Sequence, residues 1–170
     1  MKTYNFSIEV DSPSNTQSIL SDIVNEVHNE KRQRELTYSI NKETTKQHMT
    51  ILRDICDGIN EDLKEYNLSF GNFRNDLGIG NNHYNSPMAL MVVGNRSLVL
   101  HIDGESGKFP ESKYTTYTGE FTLKYRINDN SCYTACQSHE MRSVNNVSDF
   151  FNEFLIKDLL KKYIAEYLVK

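Results

Sequence analysis

The stretch from Lys113 to Ile127 constrains this chain more than any other. Tyr117, Gly119, Phe121, Leu123, Tyr125 and Ile127 alternate with Thr116, Thr118, Glu120, Thr122, Lys124 and Arg126. A period of two puts the apolar and aromatic residues on one face of an extended strand and the polar ones on the other. A long strand that is wet on one face and dry on the other needs neighbours along its edges and a cover over its apolar face.

The flanking sequence supplies the neighbours. Residues 88–93, Met-Ala-Leu-Met-Val-Val, are apolar on both faces, as in a central strand covered on two sides. Gly94-Asn95 then carries the signal of a two-residue hairpin, with glycine at the first central position of a type II′ turn, and 97–102 return antiparallel. A polar loop over 103–112 leads into the long strand. Asn128 to Ser131 turn the chain back, and 132–141 form the last strand. Shorter strands are expected around Leu68–Phe73 and over residues 3–10. Between them lies an Asn- and Gly-rich loop that ends at Pro87.

Helical spacing supplies the cover. Ser14 with Gln17 has the form of a capping box after Pro13, and Ile19, Leu20, Ile23, Val24 and Val27 fall on one stripe. Residues 29–35 are polar all round and either reach into solvent or lean on a partner. A second apolar face runs through Leu52, Ile55, Cys56, Ile59, Leu63 and Tyr66. One helix over 14–66 would be roughly 80 Å long at 1.5 Å per residue, so a helical pair with a break near Ser39–Thr44 is expected. In the last helix Val147, Phe150, Phe151, Phe154 and Leu155 cluster opposite Ile156, Leu159, Leu160, Tyr163, Ile164 and Tyr167. A break near Ile156–Asp158 reconciles the two sets. Alternatively, the second half meets another subunit or partner, with Leu160, Tyr163, Ile164 and Tyr167 as the contact. The fold class is therefore α+β: an antiparallel β-meander of four to six strands, preceded by a helical pair and followed by a C-terminal helix packed on one face, in a single domain over 1–170.

Composition narrows the function. With 18 Tyr and Phe and no Trp, these rings must fill much of the core. The 18 asparagines, with abundant Lys, Ile and Tyr, have the look of an AT-rich genome. The net charge of −4 is spread along the chain without a basic patch, which argues against nucleic-acid binding. Three cysteines form no disulfide framework, and no run approaches the ~18 apolar residues of a membrane span. The first residues alternate like a strand rather than a signal peptide. A cytoplasmic protein without cofactor or metal, and off the membrane, is expected.

Four candidate chemistries follow from the residues. Asp103-Gly104-Glu105-Ser106-Gly107-Lys108 lacks the G-x-x-x-x-G-K-[ST] order, and Phe109-Pro110 stand where a phosphate-binding helix should start. Asp103, followed by Glu111-x-Lys113 on the next strand, has the residue types that hold Mg²⁺ and orient an attacking water. This spacing resembles the PD-(D/E)xK nuclease pattern over about eleven residues, with Ile102 where a proline belongs. The resemblance implies a Mg²⁺-dependent hydrolase with Asp103, Glu111 and Lys113 at its centre. Cys132, Cys136 and His139, with His101, have ligand chemistry, but 132 and 136 share a strand face that 139 does not. Cys56 sits on an apolar helix face and reads as core. The primary expectation is a non-enzymatic binding protein whose partner is another protein or a second copy, suited to an inhibitor, immunity or accessory factor of a phage or mobile element. The alternative is the Mg²⁺-dependent hydrolase.

Overall fold

A computed structural model describes residues 13–76, 84–107, 114–129 and 141–170. Helix α1 covers Pro13–Leu63. The sheet is built from β1 (Gly71–Asp76), β2 (Ser86–Val93), β3 (Arg96–Gly107), β4 (Thr116–Asp129) and β5 (Arg142–Val144), and helices α2 (Val147–Asn152) and α3 (Phe154–Val169) follow. The chain divides into two units between Leu36 and Thr37, each described by itself.

In the first unit the described residues are the opening of α1. Pro13 is the first helical residue, two positions earlier than the capping-box reading, with Ser14 as the cap, placed it. Proline suits that position because its missing N–H would have no helical partner there. The stripe Ile19, Leu20, Ile23, Val24 and Val27 forms as expected on one helical face, and each of its residues keeps 50–57% of its surface exposed.

The second unit is an antiparallel meander in the order β1-β2-β3-β4-β5. The Gly94-Asn95 hairpin is a two-residue turn between paired Val93 and Arg96. Gly94 takes φ +63° while Asn95 keeps a negative φ, as a type II′ turn requires. In register, Leu98, Leu100 and Ile102 lie opposite Ile127, Tyr125 and Leu123. With Ala89, Met91 and Val93 they make the face that the helices cover. Leu52, Cys56, Ile59 and Leu63 of α1 press onto that face, joined by Phe150 of α2 and Ile156, Leu159 and Leu160 of α3. Asn67, left-handed at φ 55°, closes the 3₁₀ turn after α1 by donating its N–H to the Lys64 carbonyl.

Several expectations are corrected. No helical pair forms: α1 runs unbroken through 36–44. That segment holds neither Gly nor Pro, and Asn41 and Thr44 within it are buried with partners. Asn41 Nδ2 donates to Thr115 O at 3.0 Å, and Tyr117 N–H donates to Asn41 Oδ1 at 2.9 Å. Thr44 donates to Tyr117 O, and His48 Nε2 faces Gly119 O at 3.1 Å. Residues 115, 117 and 119 are two apart, so their backbone groups lie along one edge of the strand. Asn41, Thr44 and His48 are spaced to share one helix face. Helix side chains thus stand where a further strand would pair. Asn60 repeats the device lower on α1, accepting from Phe70 N–H at 2.6 Å and donating to Phe70 O at 2.9 Å.

The strand expected near 68–73 begins at Gly71 and continues to Asp76. β3 runs on to Gly107, where a loop was expected from 103, because its polar end keeps pairing with β4 across a bulge between Gly104 and Ser106. The last helical segment breaks at Glu153, not at 156–158. Glu153 has ψ 129°, and that turn lets Phe150 and Ile156 both reach the core. The final described strand is 142–144; the strand expected at 132–141 lies outside the described residues except for Met141, which is not in a strand. The strand expected at 3–10 also lies outside them.

Candidate interaction site

The residues singled out from the sequence are placed as follows. Asp103, on β3, is ion-paired with Lys124 of β4 at 2.5 Å. Glu111, Lys113, Cys132, Cys136 and His139 lie outside the described residues. His101 is buried in mid-strand, opposite Met88 and Lys124. Among the described residues no group of three or more His, Cys, Asp or Glu side chains is arranged to hold a metal ion. No helix among them is long and apolar enough to cross a membrane.

On α3, Leu160 is 8% exposed and belongs to the core, and Tyr163 is half-buried against it. The Tyr163 hydroxyl donates to Tyr66 O at 3.4 Å. Tyr163 and Tyr167 stack, with ring centres 6.2 Å apart, and Tyr66 meets Tyr167 edge-on. Ile164 and Tyr167 keep part of their surface exposed, as do Leu168 and Val169 beyond them.

The most elaborate polar cluster is one that sequence reasoning missed. His48, fully buried, has Tyr84 OH at 2.8 Å from Nδ1 and Gly119 O beyond Nε2. A carbonyl only accepts, so Nε2 carries the proton and Nδ1 receives the Tyr84 hydroxyl hydrogen. Both ring nitrogens are therefore engaged by partners within the chain. Tyr84 stacks on Tyr117 with ring centres 4.1 Å apart and lies over Gly104. A Cβ at Gly104 would sit 2.6 Å from the Tyr84 ring, so only glycine admits this approach. Helical spacing could have flagged 41, 44 and 48 as one face; nothing in the sequence joins that face to Tyr84 or to the strand.

Burial sets the two strongest ionisation shifts. Desolvation pushes the Cys56 thiol up from 9.0 to about 12, with Asp57 adding to it. The Tyr84 hydroxyl is pushed up from 10.0 to about 12, again chiefly by burial. A thiol held in its neutral form is a poor nucleophile, so Cys56 is packing. The sign of the pH effect follows. The unfolded thiol and phenol ionise first, near 9 and 10, while the folded groups keep their protons to about 12. Stability is therefore full below pH 9 and lost as pH rises towards 12. Urea unfolding at stepped alkaline pH is expected to show this decline. Tyr84→Leu with Cys56→Ala should flatten it.

The arrangement that best fits a macromolecular contact is the stripe on α1. Five branched aliphatic side chains at positions 19, 20, 23, 24 and 27 keep half or more of their surface in water. Single exposed apolar residues are ordinary; a contiguous row on one helix face is the mark of a docking surface. Compared with protein-family models, with curated proteins and with solved structures, the chain matches none. The residues alone carry the functional reading.

Proposed function

We propose that this chain is a non-catalytic interaction protein that pairs through the opening of α1 with a second copy of itself. The observation that carries this is the exposed stripe Ile19, Leu20, Ile23, Val24 and Val27. In a parallel pair of helices, Leu20, Ile23 and Val27 take the alternating three- and four-residue spacing of a coiled-coil seam. Glu26 of one copy then falls beside Lys31 of the other, at the flanking positions where opposite charges set orientation. Two such stripes face to face remove on the order of 1,000 Å² from water, the lower bound of a specific interface. Glu30 and Arg34 occupy the next seam positions, so the contact is short and of modest affinity. The part-exposed end of α3, at Ile164 and Tyr167, is the surface of the second unit offered to a partner under the same reading.

Light scattering across a concentration series tests the pairing. The parent chain is expected to pass from monomer to dimer as concentration rises. Ile23→Asp with Val27→Asp should hold it monomeric with unchanged circular dichroism, since both side chains are already half in water. A parent that stays monomeric throughout, or a double variant that dimerises as well as the parent, overturns the proposal.

A further inference from the structure

The opening of α1 carries more apolar surface than a pair of helices covers. In the parallel pair, Leu20, Ile23 and Val27 fill the seam, and Ile19 and Val24 stand on its two flanks. A two-stranded coil keeps charged residues on those flanks. One heptad further on they are Glu26 and Lys31, as a pair requires. In the first heptad they are aliphatic, and Ile19 is 56% and Val24 50% exposed in the single chain. The order within the seam points the same way. Leucine at the first seam position with isoleucine at the second, as at Leu20 and Ile23, favours three or four strands over two. A longer seam does not compensate. Past Arg34 its next positions are Thr37 and Asn41, both buried inside the second unit.

We propose that α1 gathers four copies of the chain into a parallel ring, an inference that rests on the pairing reading and takes the pair as its first step. Width decides the number. At about 100° per residue, Leu20, Ile23 and Val27 span roughly 60° of the helix surface, and the whole stripe roughly 140°. A helix in a closed ring faces two neighbours, about 60° apart around its axis in a ring of three and about 90° apart in a ring of four. Widening the seam by the larger angle covers the stripe; widening it by the smaller leaves the edges wet. In the ring of four, Ile19 of each copy packs beside Val24 of the next. Glu26 of each copy still lies beside Lys31 of the next, so the aliphatic flanks are buried and the charge pairs are kept. The seam charges that follow, Glu30 and Arg34, are of opposite sign one turn apart.

Sedimentation equilibrium, carried to concentrations above the pairing range, tests the number. The parent is expected to level off at about four times the chain mass of 19.7 kDa. Ile19→Lys with Val24→Glu should level off at two chains, a twofold lower mass. Opposite charges then face each other along both flanks of a parallel pair, where they stay in water. Both positions are half in water in the single chain, so the circular dichroism should not change. Leu20→Ile with Ile23→Leu, which reverses the seam order at constant composition, should also level off at two. A parent that never leaves the monomer overturns the pairing and the ring together. A parent that levels off at two or three chains overturns the ring alone. So does either variant reaching four chains at the parent's concentration, or a flank variant that cannot pair.

Discussion

Asn41→Leu is expected to destabilise the second unit by roughly 2–5 kcal/mol, although leucine has the same branching and the same number of side-chain heavy atoms as asparagine. Asn41 is fully buried, and its amide donates to Thr115 O and accepts from Tyr117 N–H. Leucine removes both partners at once. Each backbone group left dry and unpaired costs about 1–3 kcal/mol. Denaturant unfolding gives the size of the loss, and hydrogen exchange at the Tyr117 amide gives its location: the parent amide is protected and the variant amide exchanges early. Asn41→Asp should fall between the two, since a carboxylate still accepts from Tyr117 but faces the Thr115 carbonyl without a proton. A loss under about 1 kcal/mol with the Tyr117 amide still protected would show that the helix is held by its apolar face alone.

Phe150→Ala should cost about 3–5 kcal/mol, in the range of large-to-small changes at dry core positions. The ring is fully buried and meets three others: Phe151 at 5.0 Å, Tyr125 at 5.8 Å and Phe70 at 6.3 Å. It joins the short helix α2, the long strand β4 and the segment leading into β1. Alanine there opens a void that three aromatic groups on separate elements cannot close together. Phe150→Leu, which keeps most of the volume, should lose less than half as much. If the alanine and leucine variants unfold at the same denaturant concentration, the ring cluster is not the packing centre of this end of the sheet.

Much of the fold is legible in the sequence because it depends on local periodicity. The alternation over 113–127 marks β4, the Gly94-Asn95 turn fixes the β2–β3 hairpin, and the spacing of Leu52, Cys56, Ile59 and Leu63 gives the helix face that meets the sheet. The errors arise where a polar stretch has a partner far away in the chain. A break was expected near Ser39–Thr44 because a single helix over 14–66 would run roughly 80 Å, and nothing nearby in the sequence shows what would support the polar residues there. Their hydroxyl and amide groups find backbone atoms more than 70 positions later, and no local pattern announces that. The polar end of β3 read as loop for the same reason.

The sites were less legible than the fold. Asp103 was identified as a candidate ligand and stands paired with Lys124, a residue on the neighbouring strand that spacing along the chain cannot assign. The stripe at 19–27 was plain as a helical face, but periodicity gives the direction of a face and not whether anything covers it.

A strand edge with unpaired peptide groups is a template on which a foreign strand can add. Along residues 115–119 that opening is closed by a row of side chains and not by another length of backbone, with the Asn41 carboxamide acting as a peptide group that has no chain attached. Such a guard can be lost without unravelling the sheet. When residues 37–48 come loose, the template is exposed while the strands behind it remain ordered. Aggregation of this protein is therefore expected to begin at that border, and conditions that loosen α1 should promote fibres before they promote full unfolding.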